Sequence, residues 1–301
     1  MDAAFALALL SLDGVGRVTA HRLLERFPTY DALRACPREQ VLLRLKGLPH
    51  AERTVGLLYH EAFRAPIDRA QEEVAALAAR RIAVLTPGHS HWPRGLDALD
   101  RADRPVVVYA FGDTAVLAAR PTALFGRAPL PADAFEAAQG LAERLITKRL
   151  PLACGAGPGF DVVMHKRCAA GGHPTVMVAR AGLARIDGPA RPSVAAAVKA
   201  GGVLVAPFPP THGPFDHDDA ERALVQAALA GPAAFFAPAE GTAEAKALAW
   251  ALDAGRPVFG VEGDPAADAA LLHFSERVHR LARPVDLDWV VAAARSGSGK
   301  G

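Results

Sequence analysis

Apolar positions recur at intervals of three and four through AFALALLSL, VTAHRLLERF, REQVLLRLKGL, HAERTVGLLYHEAF and IDRAQEEVAALAAR, and no strand pattern interrupts them over residues 1–80. This spacing predicts a small helical domain. From Arg81 the pattern changes to short continuous apolar runs: RIAVLT, PVVVYAF, TALFG, LPLAC, PTVMVA, GVLVAP, AAFFAP and PVFGV. Runs of this kind separated by helical segments are what a sheet buried on both faces demands. The expected fold is therefore α/β, an extended Rossmann-like three-layer domain over residues 81–282 with a small N-terminal helical domain. Residues 283–301 offer one short helix and a polar tail.

The intervening helices are expected in DAFEAAQGLAERLITK, FDVVMHKRCAAG, PSVAAAVKAG, DDAERALVQAALAG and GTAEAKALAWALDAG, several of which end in glycine where a helix C-terminus needs one.

Composition narrows the partners. The 301 residues are 51% apolar, enough for a sizeable core, and 34 Lys and Arg stand against 32 Asp and Glu. Nothing in that balance marks a nucleic-acid binder, so any such partner must be met by a local patch. Cys36, Cys154 and Cys168 have neither metal-ligand spacing nor the even count of a disulfide framework, which points to a reducing, cytoplasmic setting. No window is apolar enough to span a membrane, and no partnership with one is expected.

Two glycine turns stand out in the helical region. In SLDGVGRVTAHRLLERF, Gly14 and Gly16 precede Arg17 and a new helix, and in LLRLKGLPHAERTVGLL, Lys46 and Gly47 do the same. Each is readable as a helix-hairpin-helix turn offering backbone N–H groups to a phosphate, or as an ordinary turn of a protein-interaction module.

The α/β part holds the richest segment, LACGAGPGFDVVMHKRCAAGG. Gly155, Gly157 and Gly159 let the backbone approach a ligand as strand passes into helix, Asp161 is placed to cap the helix, and His165, Lys166 and Arg167 follow one turn on. The spacing matches neither GxGxxG nor GxxxxGK[ST], so the turn suits either a phosphate-bearing ligand or a purely structural role. Asp161 and His165 lack a third ligand at recognisable spacing, and neither a metal nor another cofactor is expected. Other strand ends add Gly126 with Arg127, and Gly241 with Thr242 followed by Glu244. A further loop, FPPTHGPFDHDDAER, is made acidic by Asp216, Asp218, Asp219 and Glu221.

In order and spacing, GVGRVTAHRLLERF, HWPRGLDALDRADRPVVVYAFGD, ALFGR, LACGAGPGFDVVMHKRCAAGGHPTVMVA, VKAGGVLVAPFPP and AEGTAEAKALAWALDAGRPVFGVEG resemble the DprA/Smf family of DNA-processing proteins, over residues 14–263. That resemblance implies a non-enzymatic dimer that binds single-stranded DNA, protects it and helps load RecA, chiefly in natural transformation. It implies roles in DNA or phosphate contact for Gly126 and Arg127, for Gly155, Gly157, Gly159, Asp161 and His165, and for Gly241 and Thr242. With Lys166 and Arg167, and with Gly14, Gly16, Arg17, Lys46 and Gly47 in the helical part, these form the expected contact set. Where the family has an arginine-rich turn this chain reads FDHDDAER, whose one arginine is Arg222. The fold also resembles the superfamily of lysine-decarboxylase-like phosphoribohydrolases, whose glycine-threonine turn followed by glutamate is matched here by GTAE. A nucleotide-binding or nucleotide-hydrolysing protein, and a scaffold that has lost the ancestral site, are the alternative readings.

Overall fold

The computed structural model describes residues 1–127, 129–261 and 276–298. The polar tail at 299–301, and the end of the family-like stretch at Glu262 and Gly263, lie outside the described residues. The chain divides into two compact units, residues 1–92 with 99–109, and residues 93–98 with 110–301.

The first unit contains α1 (Ala3–Leu10), α2 (Arg17–Leu24), α3 (Tyr30–Arg34), α4 (Arg38–Arg44), α5 (Ala51–Tyr59), α6 (Arg64–Ala79) and β1 (Ile82–Leu85). Side-chain caps start two of these helices: Asp2 accepts from the Ala4 N–H at 2.9 Å and Thr29 from the Ala32 N–H at 3.2 Å. Their apolar stripes meet in a core where Phe5, Leu9, Leu23, Leu24, Leu33, Leu45 and Leu58 are fully buried. The Tyr30 ring lies between Phe5 and Phe63, at centroid distances of 6.0 and 5.4 Å. The returning segment 99–109 is pinned to α2 by the Glu25–Arg101 pair at 2.9 Å.

β2 (Val108–Gly112) leads into the second unit, which continues through β3 (Thr122–Gly126), α7 (Ala132–Thr147), β4 (Leu152–Gly155), α8 (Phe160–Ala170), β5 (Thr175–Val178), α9 (Arg191–Lys199) and β6 (Val203–Ala206). It then runs through α10 (Asp218–Leu229), β7 (Ala233–Phe236), α11 (Ala243–Asp253), β8 (Val258–Val261), β9 (His279–Arg280) and a last helix, α12 (Leu287–Ser298). The strands wholly inside this unit pair in the order β6-β5-β4-β3-β7-β8-β9, and each described pairing is parallel.

Successive residues of each strand feed opposite faces. Leu124 and Phe236 pack with α7, α8 and α12, whereas Ala123, Phe125, Ala233 and Phe235 pack with α10 and α11. On the latter face Phe125 of β3 and Phe235 of β7 stack with centroids 4.5 Å apart and planes 3° from parallel. Burial on both faces explains the continuous apolar runs. The result is a mixed α/β fold of Rossmann-like architecture.

From β3 the chain proceeds to β4, β5 and β6 on one side, then returns to place β7, β8 and β9 on the other. Connections therefore leave β3 and β7 in opposite directions, and a crevice opens beyond their carboxyl ends. The runs ending in Gly126, Gly155 and Phe236 deliver their loops to that edge.

Candidate nucleic-acid interface

At the end of β4, Gly155–Gly159 turns the chain into α8. Gly159 is the helix N-cap at φ +80°, a conformation open to glycine and strained for any other residue. It has no side chain, and the helix has no side-chain cap. Asp161 differs from the sequence expectation here: its Oδ2 accepts from the Gly157 N–H at 3.0 Å, closing the loop rather than capping the helix. Gly155 is required by close approach, because a Cβ there would collide with the Asp161 carboxylate and come within 3.3 Å of Arg222 Nη1.

His165 is fully buried, which corrects its expected place among phosphate contacts. Its Nε2 lies 2.6 Å from the Gly155 carbonyl oxygen, which can only accept, so Nε2 carries the proton and donates. Nδ1 has no partner, and burial lowers the imidazole to about 4. A neutral His165 thus holds the turn from beneath.

Gly126, Arg127, Gly157, Gly159 and Asp161 converge on one cavity of about 390 Å³. Arg180, Asp219, Arg222 and Glu244 complete its charged lining. Arg222 is the centre of the arrangement. Its guanidinium donates to Asp219 Oδ1 at 2.8 and 3.0 Å and to Gln226 Oε1 at 2.6 Å, and lies 3.5 Å from Glu244. Gln226, itself fully buried, donates to the Leu124 carbonyl at 2.9 Å and so ties the arginine to β3. Burial works against the Arg222 charge, but Asp219, Asp161 and Glu244 more than offset it. Burial likewise pushes Asp161 up to about 6 in spite of Arg222.

Arg127 leaves the end of β3 and reaches Asp219 at 3.1 Å and Glu244 at 3.5 Å. It is the more exposed partner, its side chain 58% accessible against 25% and 9% for the two acids. A second cavity of about 410 Å³ shares Arg127 and Glu244 with the first, and is otherwise walled mainly by proline, Leu130, Phe236 and the α11 turn. Thr242 lines it and caps α11, accepting from the Ala245 N–H at 3.2 Å, while Gly241 is exposed beside it.

Two expected cations sit elsewhere on α8. Lys166 is exposed, and Arg167 is engaged by Glu143 and Gln139 of α7. In the acidic loop only Asp219 lines the cavity: Asp218 is buried, accepting from the Phe215 N–H at 2.8 Å beside His212. Arg180, Arg222 and Gln226 are not marked as site residues by any motif in the sequence. The available signal is the spacing of 219, 222 and 226, which puts Asp, Arg and Gln on one face of α10. Among the described residues, no group of three or more His, Cys, Asp or Glu is disposed to hold a metal ion, and no helix is long and apolar enough to cross a membrane.

The glycine turns of the helical unit lie side by side. Gly14 and Gly47 both take left-handed φ, +81° and +82°, and Gly14 approaches His50 at the start of α5. Arg53 bonds Asp13 at 2.9 Å, and Arg22 reaches the Lys46 carbonyl at 3.1 Å. Gly16 is the uncapped start of α2, and Arg17 at its first position contacts the Asp103 carbonyl at 3.4 Å.

DNA processing protein DprA of Mycobacterium tuberculosis is 28% identical over 242 residues, covering 74% of this chain and 62% of the relative, so the chain spans less than two thirds of that protein's length. The structure of DNA processing protein A from Streptococcus pneumoniae superposes with a TM-score of 0.75 at 15% identity, over 96% of this chain and 98% of that one. DNA processing protein A from Helicobacter pylori gives 0.59 at 16% identity, over 70% of this chain and 96% of that one. At such identities these two likenesses establish the fold. The family model for DNA recombination-mediator protein A matches residues 83–276, well over half of the sequence, and this chain belongs to that family.

Proposed function

We propose that this chain binds single-stranded DNA and serves DNA processing as a non-enzymatic recombination mediator. The observation that carries the reading is the convergence of the Gly157–Gly159 turn, the uncapped N-terminus of α8 and the arginines Arg127 and Arg180 on one open cleft. Backbone donors and a helix N-terminus receive phosphate oxygens, and arginines supply charge-assisted bonds without reading base sequence. The H. pylori relative is described as having a unique single-stranded DNA binding mode, which supports the same ligand class here.

Residues 81–282 form the DprA-type domain in this proposal, and residues 1–80 a helical domain whose turns at Gly14, Gly16, Arg17, Lys46 and Gly47 meet DNA separately. His165 acts by positioning Gly155, and Gly241 and Thr242 border the cleft. Lys166 adds exposed charge along α8, and Arg167, half-buried and paired with Glu143, would have to leave that partner to reach a strand. Delivery of strands to a recombinase of the RecA kind, action as a homodimer and cytoplasmic residence belong to the same proposal.

The test is a fluorescence titration of labelled single-stranded and duplex oligodeoxynucleotides at several salt concentrations. The wild-type chain should prefer the single strand. Replacing Arg127, Lys166 and Arg167 by alanine should weaken binding and flatten its salt dependence. Equal affinity of wild type and variant across salt overturns the assignment.

A further inference from the structure

The arginines of the cleft are all matched by acids: Arg127 and Arg222 by Asp219 and Glu244, and Arg180 by Asp187 at 3.5 Å. The opposite edge of the same sheet is different. The strands from β3 to β8 run parallel, so the chain enters all of them along one edge. Cations collect just before those entries. Arg120 precedes β3, Lys148 and Arg149 precede β4, Lys199 precedes β6 and Arg256 precedes β8. Arg256 is half-buried and the other four are exposed. Among the described residues none of the five has an acid as ion-pair partner, and Asp253, the acid at the end of α11, is taken by Arg277 at 3.1 Å.

Helix ends account for part of this row. α7, α9 and α11 finish at the same edge, and a helix C-terminus favours a cation nearby. It carries only about half an elementary charge, so it attracts Lys148 or Lys199 without neutralising either. Arg120 follows no α-helix, because the turn before it, Thr114–Ala118, is a short 3-10 one. Burial disfavours the charge of Arg256, and Arg120 adds like-charge repulsion. The field of the row is left to be met from outside the chain.

Its shape says by what. In the order β6-β5-β4-β3-β7-β8 the row runs from Lys199 to Arg256 across five interstrand steps, about 24 Å. Cations strung out over that length suit a chain of anionic groups better than a compact ligand. At the β8 end the guanidinium of Arg256 lies 6.0 Å from the ring centroid of half-buried Trp250. A basic track with an aromatic beside it receives phosphates and stacks an unpaired base, which a duplex keeps inside.

We infer that this edge is a second track for the phosphodiester backbone of single-stranded DNA, separate from the cleft. The inference rests on the single-strand binding proposed above and adds a second surface to it.

The test is an anisotropy titration of the whole chain with labelled oligodeoxythymidylate at several salt concentrations. Arg120→Glu, Lys148→Glu and Lys199→Glu, combined in one variant, reverse three exposed charges and leave the core untouched. Binding should weaken about tenfold or more, and the salt slope should fall by about 2 for three phosphates released. The same three positions changed to Gln should lower the slope alike, and keep the test decisive should the glutamate variant fold poorly. Arg38→Glu, Arg69→Glu and Arg80→Glu, at three exposed cations of the helical unit, alter net charge equally and should weaken binding far less. A wild-type chain that binds no single strand overturns the proposed function and this track together. With wild-type binding intact, an unchanged slope in both edge variants, or an equal loss in the helical-unit variant, overturns the track alone. Loss of sedimentation with phosphatidylserine vesicles in place of strand binding overturns it as well.

Discussion

Arg127, the exposed arginine at the end of β3, is held by Asp219 of α10 at 3.1 Å, so the cation best placed for phosphate already has a carboxylate partner. The two residues are 92 positions apart in sequence and meet only because β3 and α10 reach the same edge of the sheet. Ion pairs this exposed contribute at most about 1 kcal/mol, so a phosphate can replace the carboxylate. Asp219→Asn should tighten single-strand binding several-fold, and Arg127→Ala should loosen it. The salt slope of anisotropy titrations should change by about 0.7 for each phosphate newly bound or released. An unchanged slope in Asp219→Asn would show that Asp219 does not restrain Arg127.

Gln226 anchors Arg222 to the sheet by accepting from its Nη1 and donating to the Leu124 carbonyl. Gln226→Leu preserves much of the volume but leaves a buried guanidinium donor and a strand carbonyl unpaired. Urea unfolding should report a loss of about 1–3 kcal/mol. Gln226→Glu should restore the bond to Arg222 while failing to donate to Leu124, and so recover only part of that loss.

Asp161 and His165 pull the pH dependence of stability in opposite directions. Asp161, pushed up to about 6 from 3.8, takes up its proton in the folded state first; the stability this brings is complete below about 3.8 and is lost as pH rises through 6. His165, lowered to about 4 from 6.5, stabilises the fold above about 6.5, and that stabilisation disappears as pH falls toward 4. The two partly cancel between these limits. Asp161→Asn, which still accepts from Gly157, should raise stability at pH 8 by about 2 kcal/mol and steepen the acid-side decline in thermal melts.

In the helical unit, Gly14→Val forces a branched side chain into φ +81°, whereas a Cβ added at Gly16 would meet no atom within 4 Å and the backbone there takes an ordinary negative φ. Gly14→Val should destabilise by about 1–2 kcal/mol. Gly16→Val should fold normally yet cover the uncapped start of α2, lowering affinity for single-stranded or duplex DNA. A folded Gly16→Val chain with unaltered affinity for both would remove that turn from the interface.

The strands from β3 to β8 are legible in the sequence because burial on both faces leaves an unmixed apolar run in each, and β1, though only half-buried, keeps an apolar run as well. β9 is not: His279 and Arg280 carry no such run, and they join the sheet through backbone pairing with Phe259 and Gly260. At the candidate site, the glycines stand out because a strand end that turns sharply needs them, and Arg127 because it follows one of them at the end of β3. Arg222 and Gln226 do not, since polar residues three and four apart on a helix read as a solvated face until the sheet turns that face inward. His165 shows the converse, a polar residue that reads as a contact and is spent on a backbone carbonyl.

The buried guanidinium of Arg222 comes with its counter-ions built in. An incoming molecule therefore does not fall down a long-range potential into the cleft; it must trade places, group for group, with Asp219 or Glu244. Selectivity in such a place is a matter of stoichiometry of donors and acceptors, and a simple buffer anion, however concentrated, offers only half of the exchange.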